Sequence, residues 1–185
     1  ALVVIDPHGK LAREIGRFQE NASGDRLAYI KPDLKAGIAP TLNPLELKRR
    51  SDAAITVQVE EVISVFRELI ASGEGSAKFT TQMEVLLYPC LYTLIHMGGR
   101  SLQDLLAMMD SERAQPYIDY ALKHLTNPSH IDFFTQLYPK ASYKATRLAI
   151  STRLQSVFHS QTVSNFLNGP SSIDLDALIE SRSLI

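Results

Sequence analysis

Residues 55–70, ITVQVEEVISVFRELI, repeat apolar side chains at helical spacing and decide the fold class of this chain. Apolar residues at every third or fourth position form one stripe along a helix, and such a stripe packs against other elements. The stripe consists of Ile55, Val59, Val62, Ile63, Phe66 and Ile70. The pattern predicts a long amphipathic helix that ends at Ser72 and Gly73.

Helical spacing continues through most of the chain on the carboxyl side. Residues 83–95 predict a second helix, kinked by Pro89 and ended at Gly98. Ser101 is the expected N-cap of a short helix that follows it. Further helices are predicted near 111–125, 129–137, 140–158 and 160–168, and from 172 onward. These segments together predict a helical bundle.

The amino side has a different character. Residues 2–5, LVVI, predict a strand buried on both faces of a parallel sheet, ended by residues 6–9, DPHG. A helix over 11–18 and a second strand over 27–30 complete a β-α-β unit. Because two strands do not make a stable sheet, we expect further strands from outside these residues. Residues 183–185 predict the start of another strand, so the bundle is expected to be a helical insertion between strands of one sheet.

Composition and charge limit the class of protein. The 185 residues are 45% hydrophobic and 21% charged, with a net charge of −1, which is typical of a globular domain without a global field for nucleic acid or membrane. The single cysteine, Cys90, excludes an internal disulfide and a multi-cysteine zinc site, and favours a reducing compartment. No apolar run approaches the roughly 20 residues of a membrane span.

The motifs for nucleotide chemistry are incomplete. The chain contains no G-x-x-x-x-G-K-[ST], and Gly9-Lys10 lacks both the upstream glycine and the following hydroxyl residue. Asp6 ends its apolar run as a Walker B carboxylate does, but Pro7 stands where a second acid is expected. The alternative is an aspartate that caps a turn. An independent enzyme that uses Asp6 and His8 lacks an accompanying base, nucleophile or metal set.

The histidines and tyrosines carry no metal or catalytic spacing. None of the five histidines pairs with another at the tight spacing of a metal site, so a structural or surface role is expected for each. Cys90 on an apolar helix face predicts a buried small hydrophobe. The tyrosines of the helical region are interpreted as packing residues of the core and the bundle edge.

Charge placement is more informative than total charge. Residues 52–119 contain ten acids against four bases, a net charge of −6, whereas residues 133–173 contain no acid and four cations. The four are Lys140, Lys144, Arg147 and Arg153. Lys140, Lys144 and Arg147 share one helix face by their spacing, which predicts a phosphate-contacting face. Two alternatives are a solvated helix surface and, for the acidic half, a docking surface for a basic partner.

Three stretches together resemble a known family. They are residues 4–9, VIDPHG, with the following Leu11-Ala12; residues 42–46, LNPLE; and residues 149–185, which include FL at 166–167 and SIDL at 172–175. In this order and spacing they resemble the ATPases that act as coupling proteins in bacterial conjugation and type IV secretion. That family belongs to the hexameric DNA-pumping motors.

The resemblance implies a mainly α fold in which a helical bundle is inserted into a partial RecA-like α/β nucleotide-binding domain. Residues 1–50 and 171–185 would be motor-domain pieces, and residues 51–170 the all-α domain that recognises transfer substrates. The P-loop and the true Walker B acids would lie outside these residues, which leaves no autonomous ATPase activity. Asp6, His8 and Gly9 would lie near the nucleotide, but none would be catalytic.

The resemblance also implies partners and a location. The intact protein would be a cytoplasmic homo-hexamer, with or without an inner-membrane anchor, that uses ATP and Mg²⁺. Its partners would be single- or double-stranded DNA, relaxases and secreted substrate proteins, with DNA contacted by Lys140, Lys144, Arg147 and Arg153. The alternative function is a protein-interaction bundle that binds no DNA.

Overall fold

The computed structural model describes residues 3–6, 8–17, 28–31, 40–71 and 78–181, and within them the chain is mainly helical, as predicted. No helix of this part combines the length and the apolarity that a membrane crossing needs. The helices are α1 (Lys10–Arg17), α2 (Asp52–Ala71), α3 (Thr81–Met97), α4 (Leu102–Met109), α5 (Gln115–His124), α6 (Pro128–Asp132), α7 (Ala141–Phe158), α8 (Gln161–Leu167) and α9 (Leu175–Glu180).

Helix α3 forms the centre of the bundle because most of its side chains are apolar. It packs against α2, α4, α5 and α7, and α4 also packs against α7. Pro89 lies inside α3, and its carbonyl accepts a hydrogen bond from Thr93 Oγ1 at 2.7 Å. The fully buried side chains that α3 contributes to the core include Leu86, Leu87, Cys90, Leu91, Leu94 and Ile95.

Polar side chains satisfy first-turn amides of α2, α3 and α4. Ser51 Oγ accepts from Ala54 N at the start of α2, and Thr80 Oγ1 accepts from Met83 N at the start of α3. Ser101 forms a capping box with Asp104 at the start of α4, which confirms the predicted N-cap. The hydroxyl side chains of Ser51, Thr80 and Ser101 therefore help to set where these three helices begin.

A π-helical turn, Phe133–Leu137, follows α6 directly. Tyr138 N donates to Phe133 O at 2.8 Å, which is the five-residue spacing of a π-helix. The wider turn holds Phe133 and Phe134 in the core, where each contacts the ring of Tyr138. A helix was expected over 129–137, but its change of winding was not.

The strands predicted near the amino end are not present in the residues that the structure describes. Residues 3–6 and 28–31 are not strands, and no backbone hydrogen bond joins one segment to the other. A strand persists only where it is paired within a sheet, and these two segments do not pair. The helix predicted between them is present as α1. Phe18, the stop at Ser72-Gly73 and the strand over 183–185 lie outside the described residues.

Candidate functional site

Asp6 caps the first turn of α1. Its Oδ1 accepts from His8 N and its Oδ2 from Ala12 N, both at 3.0 Å. These amides, with Ala12 as the strongest, lower the pKa of the Asp6 carboxyl below its ordinary value. Gly9 takes the left-handed conformation, φ +66°, that this tight turn requires. The turn-capping interpretation of Asp6 is confirmed.

This cap does not by itself form a nucleotide site. Both carboxylate oxygens of Asp6 are engaged by amides of their own turn, and the sequence has no P-loop to hold phosphates. His8 is exposed, and Gly9 O accepts from Arg13 Nε at 2.7 Å. A position of Asp6, His8 and Gly9 near a nucleotide remains a prediction, and no catalytic step is derived from these residues.

An open apolar cleft of about 870 Å³ lies beside this turn. One wall is formed by residues within 3–6, 8–15 and 28–31, and the other by α8 and the segment leading into α9. Large apolar side chains stand open to solvent here: Ile5 is 87% exposed and Val3 is 52% exposed. Exposed apolar surface of this kind is typical of an interaction surface or a ligand-binding groove.

The two ends of the bundle lie side by side. Thr41 N donates to Ser172 Oγ at 2.8 Å, and Ser172 N donates back to Thr41 O at 3.0 Å. Leu42 N donates to Phe166 O at 2.7 Å, and Ile173 N also donates to Thr41 O. We call this contact of residues 41–43 with residues 166–173 the junction. The chain therefore enters and exits the helical bundle at the same place.

Asn43, of the stretch 42–46, LNPLE, connects three parts of the chain at the junction. It is 7% exposed, and its Oδ1 accepts from Leu45 N at 3.0 Å. Its Nδ2 donates to Arg100 O at 2.7 Å, and its own N donates to Ser171 Oγ at 2.9 Å. One of the three stretches that carried the family resemblance thus connects the bundle with its flanking segments.

Of the four cations predicted to contact DNA, Arg147 is buried. Lys140, which directly precedes α7, and Lys144 are exposed, as a phosphate contact requires. Arg147 is only 6% exposed, so its place on an exposed face was predicted wrongly. Its Nη1 donates to Tyr138 O at 2.5 Å and its guanidinium lies 4.6 Å from the centroid of the Tyr138 ring. Arg147 is held inward because it caps the carboxyl end of the π-helical turn, where a cation is favourable.

Arg153 is half-buried, farther along α7. Its Nη1 donates to Ala149 O at 3.3 Å on its own helix. The structure therefore leaves Lys140 and Lys144 as the exposed pair among the four predicted DNA contacts. Whether they bind DNA remains a prediction.

A second, polar cleft of about 360 Å³ brings together residues that the sequence analysis had kept apart. Tyr92 OH donates to Asp52 Oδ1 at 3.0 Å, and the Tyr92 ring lies 4.6 Å from that of His130 and 6.4 Å from that of His96. Tyr88 borders the same ring of His130. We call it the Tyr–His cleft, lined by Asp52, Thr56, Tyr88, Tyr92, His96, His124, Leu125, Thr126, Asn127 and His130.

Burial shapes the chemistry of the Tyr–His cleft. His130 is 5% exposed, and its Nδ1 has no hydrogen-bond partner among the described residues. Burial lowers the pKa of His130, and burial together with Asp52 raises the pKa of Tyr92 to about 12. The imidazole and the phenol are therefore favoured in their neutral forms. In the described part of the chain, no cluster of three or more His, Cys, Asp or Glu side chains suits a metal ion.

One sequence signal for this cleft was present. Tyr88, Tyr92 and His96 follow one another at four-residue spacing, which places them along one face of α3. The contributions of Asp52 and His130 depend on how α2 and α6 pack, which spacing within one helix does not reveal.

Comparison of the chain with protein-family models, with curated proteins and with solved structures gave no match.

Proposed function

We propose that this chain is the helical substrate-recognition module of a DNA-translocating coupling ATPase of conjugation or type IV secretion. The motor motifs, ATP and Mg²⁺ would belong to the intact, hexameric protein. The helical module would present DNA, relaxases or secreted proteins to that motor. The motif order of the sequence supports the family, and the junction supports the architecture.

The junction is the observation that carries the proposal. A domain inserted into another must begin and end at nearly the same point, because both ends connect to neighbouring parts of the host domain. Thr41 and Ser172 meet that condition, because Thr41 N donates to Ser172 Oγ and Ser172 N donates to Thr41 O. Lys48 Nζ and Asp174 add an exposed ion pair of 2.7 Å next to the junction.

The apolar cleft supports a RecA-like host domain on the far side of the junction. One wall of the cleft is the segment that resembles the family's strand after the P-loop helix. In this segment the exposed residues Val3 and Ile5 lie two positions apart, as residues on one face of a strand do. In the proposed motor domain, neighbouring strands would pair with this segment and cover these side chains. Strand formation would then depend on those neighbours.

The proposed DNA contacts are the exposed pair Lys140 and Lys144, with the half-buried Arg153 farther along α7. The test is the affinity for a labelled DNA oligonucleotide, measured by fluorescence anisotropy over a range of salt. Each lost phosphate contact lowers the slope of log K against log salt by about 0.9 for duplex DNA. We expect the double variant Lys140→Glu with Lys144→Glu to bind weakly and to show a flatter slope. The matched control is Lys78→Glu with Lys123→Glu, which makes the same charge change at exposed positions elsewhere.

An unchanged slope in the first variant, or an equal loss in the control, would remove the DNA role from this face. Arg147 is unsuitable for this test because its substitution would disturb the core.

A second candidate function is recognition of a basic protein without DNA binding. The burial of Arg147 leaves the basic face with fewer cations, whereas Glu60, Glu61 and Glu68 of α2 are all exposed. Exposed Val57 and Val65 accompany these acids on the same helix. This candidate predicts capture of a relaxase or secretion substrate by the chain, with no salt-dependent affinity for DNA alone.

A further inference from the structure

We propose that the Tyr–His cleft binds the guanidinium group of an arginine side chain on a partner polypeptide. The proposal rests on the recognition role above and names the chemistry that one pocket would recognise. It does not involve the basic face of α7, so its test is independent of DNA binding.

Charge favours a cationic ligand in this cleft. Asp52 is the one carboxylate among the described residues of its lining, and neither lysine nor arginine lines it. Tyr92 OH occupies Asp52 Oδ1, which leaves Oδ2 with no hydrogen-bond donor among the described residues. Burial also favours the neutral form of His130, so this imidazole does not oppose a cation. An anionic group would meet the Asp52 charge with nothing to balance it.

The aromatic walls favour a planar cation over a compact one. The rings of Tyr92 and His96 are nearly parallel, with an interplanar angle of 20°, and the ring of His130 lies tilted beside them. A guanidinium stacks on such faces and can also donate in its own plane to a carboxylate. An ammonium group is not planar, so it cannot stack on a ring and donate in its own plane to a carboxylate at the same time. The cavity, about 360 Å³, is at the lower end of the size range of ligand pockets.

The unpartnered Nδ1 of His130 is a second sign that this region is more than packing. Leaving a buried polar nitrogen without a hydrogen bond costs free energy, so such atoms are rare in a core that serves stability alone. Here the nitrogen belongs to a ring that forms the cleft wall. A pocket kept open and polar at this cost is typical of a binding site.

The test uses N-acetyl-arginine N-methylamide as the probe and the matching citrulline compound, which has the same shape without the charge. Binding to the 185-residue chain is followed through the imidazole resonances of His96 and His130 by NMR titration. We expect the arginine probe to shift these resonances with saturation and the citrulline probe to bind at least about tenfold more weakly, because a charged hydrogen bond is lost. The matching lysine probe is expected to bind more weakly than arginine.

Two variants locate the effect. Asp52→Asn should weaken arginine binding by about tenfold, whereas Glu61→Gln, which removes an acid from the same helix, should leave it unchanged. Equal binding of arginine and citrulline would overturn the proposal, as would the absence of any saturable shift. Binding of adenosine without binding of arginine would also overturn it and would indicate a base-stacking site instead. The comparison of probes on the unmodified chain holds even if a variant fails to fold.

Discussion

Thr41 and Ser172 are 131 positions apart in the sequence, yet each donates a backbone amide hydrogen bond to the other residue. Between them lies the helical core, built around α3. Such closure of a long segment has an entropic cost that grows slowly with length, so a few hydrogen bonds and one well-packed core suffice to maintain it. The contact brings the two ends of the helical region together.

Replacing Arg147 is expected to destabilise the fold because its charge caps the π-helical turn from inside the core. We predict that Arg147→Ala lowers the free energy of unfolding by about 2–3 kcal/mol, since Tyr138 O loses a charged donor and the Tyr138 ring loses its cation. Urea denaturation measures the change. Lys144→Ala, on the exposed side of the same helix, is the control and should stay within about 0.5 kcal/mol of the parent. An equal loss of stability in both variants would contradict the buried position of Arg147.

Gly98 is predicted to be intolerant of a side chain at the end of α3. Its backbone, φ +71° and ψ 156°, is a conformation almost restricted to glycine, and a Cβ there would lie 1.7 Å from Arg50 Nη1. Arg50 donates to Met97 O at 3.0 Å, so moving it aside breaks a helix cap. Gly98→Ala should cost about 2–3 kcal/mol in urea unfolding.

Gly99→Ala is the matched control, because φ is also positive there, +63°, but no atom lies within 4 Å of the added Cβ. Its cost should be about 1 kcal/mol, from backbone strain alone. In an Arg50→Ala background the cost of Gly98→Ala should fall. A cost that is the same with and without Arg50 would show that the two residues are not coupled.

Burial of His130 predicts a loss of stability in mild acid. Its pKa is lowered in the folded chain from 6.5, so the unfolded chain binds the proton more readily. The contribution of His130 to the free energy of unfolding is complete above its pKa in the unfolded chain. It is lost as the pH falls from there through its pKa in the folded chain, by at most about 1.4 kcal/mol per pH unit. Urea unfolding between about pH 8 and about pH 5 tests this. His130→Phe should flatten the dependence, and His159→Phe, at an exposed position, should not.

The helices were predictable because the information for each lies within a few turns of sequence. The apolar stripe of α2 and the cap at Ser101 act on their own neighbours, so spacing and residue type were sufficient. The turn-capping role of Asp6 was foreseen for the same reason, as one of two alternatives.

The parts that could not be predicted depend on contacts between distant segments. The spacing of Arg147 predicts a surface cation. Its side chain is buried because α7 packs beside the π-helical turn, where Arg147 donates to Tyr138 O. The Tyr–His cleft needs α2, α3 and α6 to meet, so its histidines look unrelated in the sequence. Residues 3–6 have the composition of a strand, but a strand also requires a partner.

The most direct test of an inserted helical module is a disulfide between its two ends, in the variant Thr41→Cys with Ser172→Cys. A disulfide requires Cα atoms within about 4.4–6.8 Å, and the thiol of Cys90 is buried with a raised pKa, so it competes poorly. Under mild oxidation we expect rapid, intramolecular cross-linking of the folded chain and a stabilisation of up to roughly 5 kcal/mol. Cross-linking of the folded chain no faster than that of the same chain in urea would mean that the two ends of the bundle do not meet.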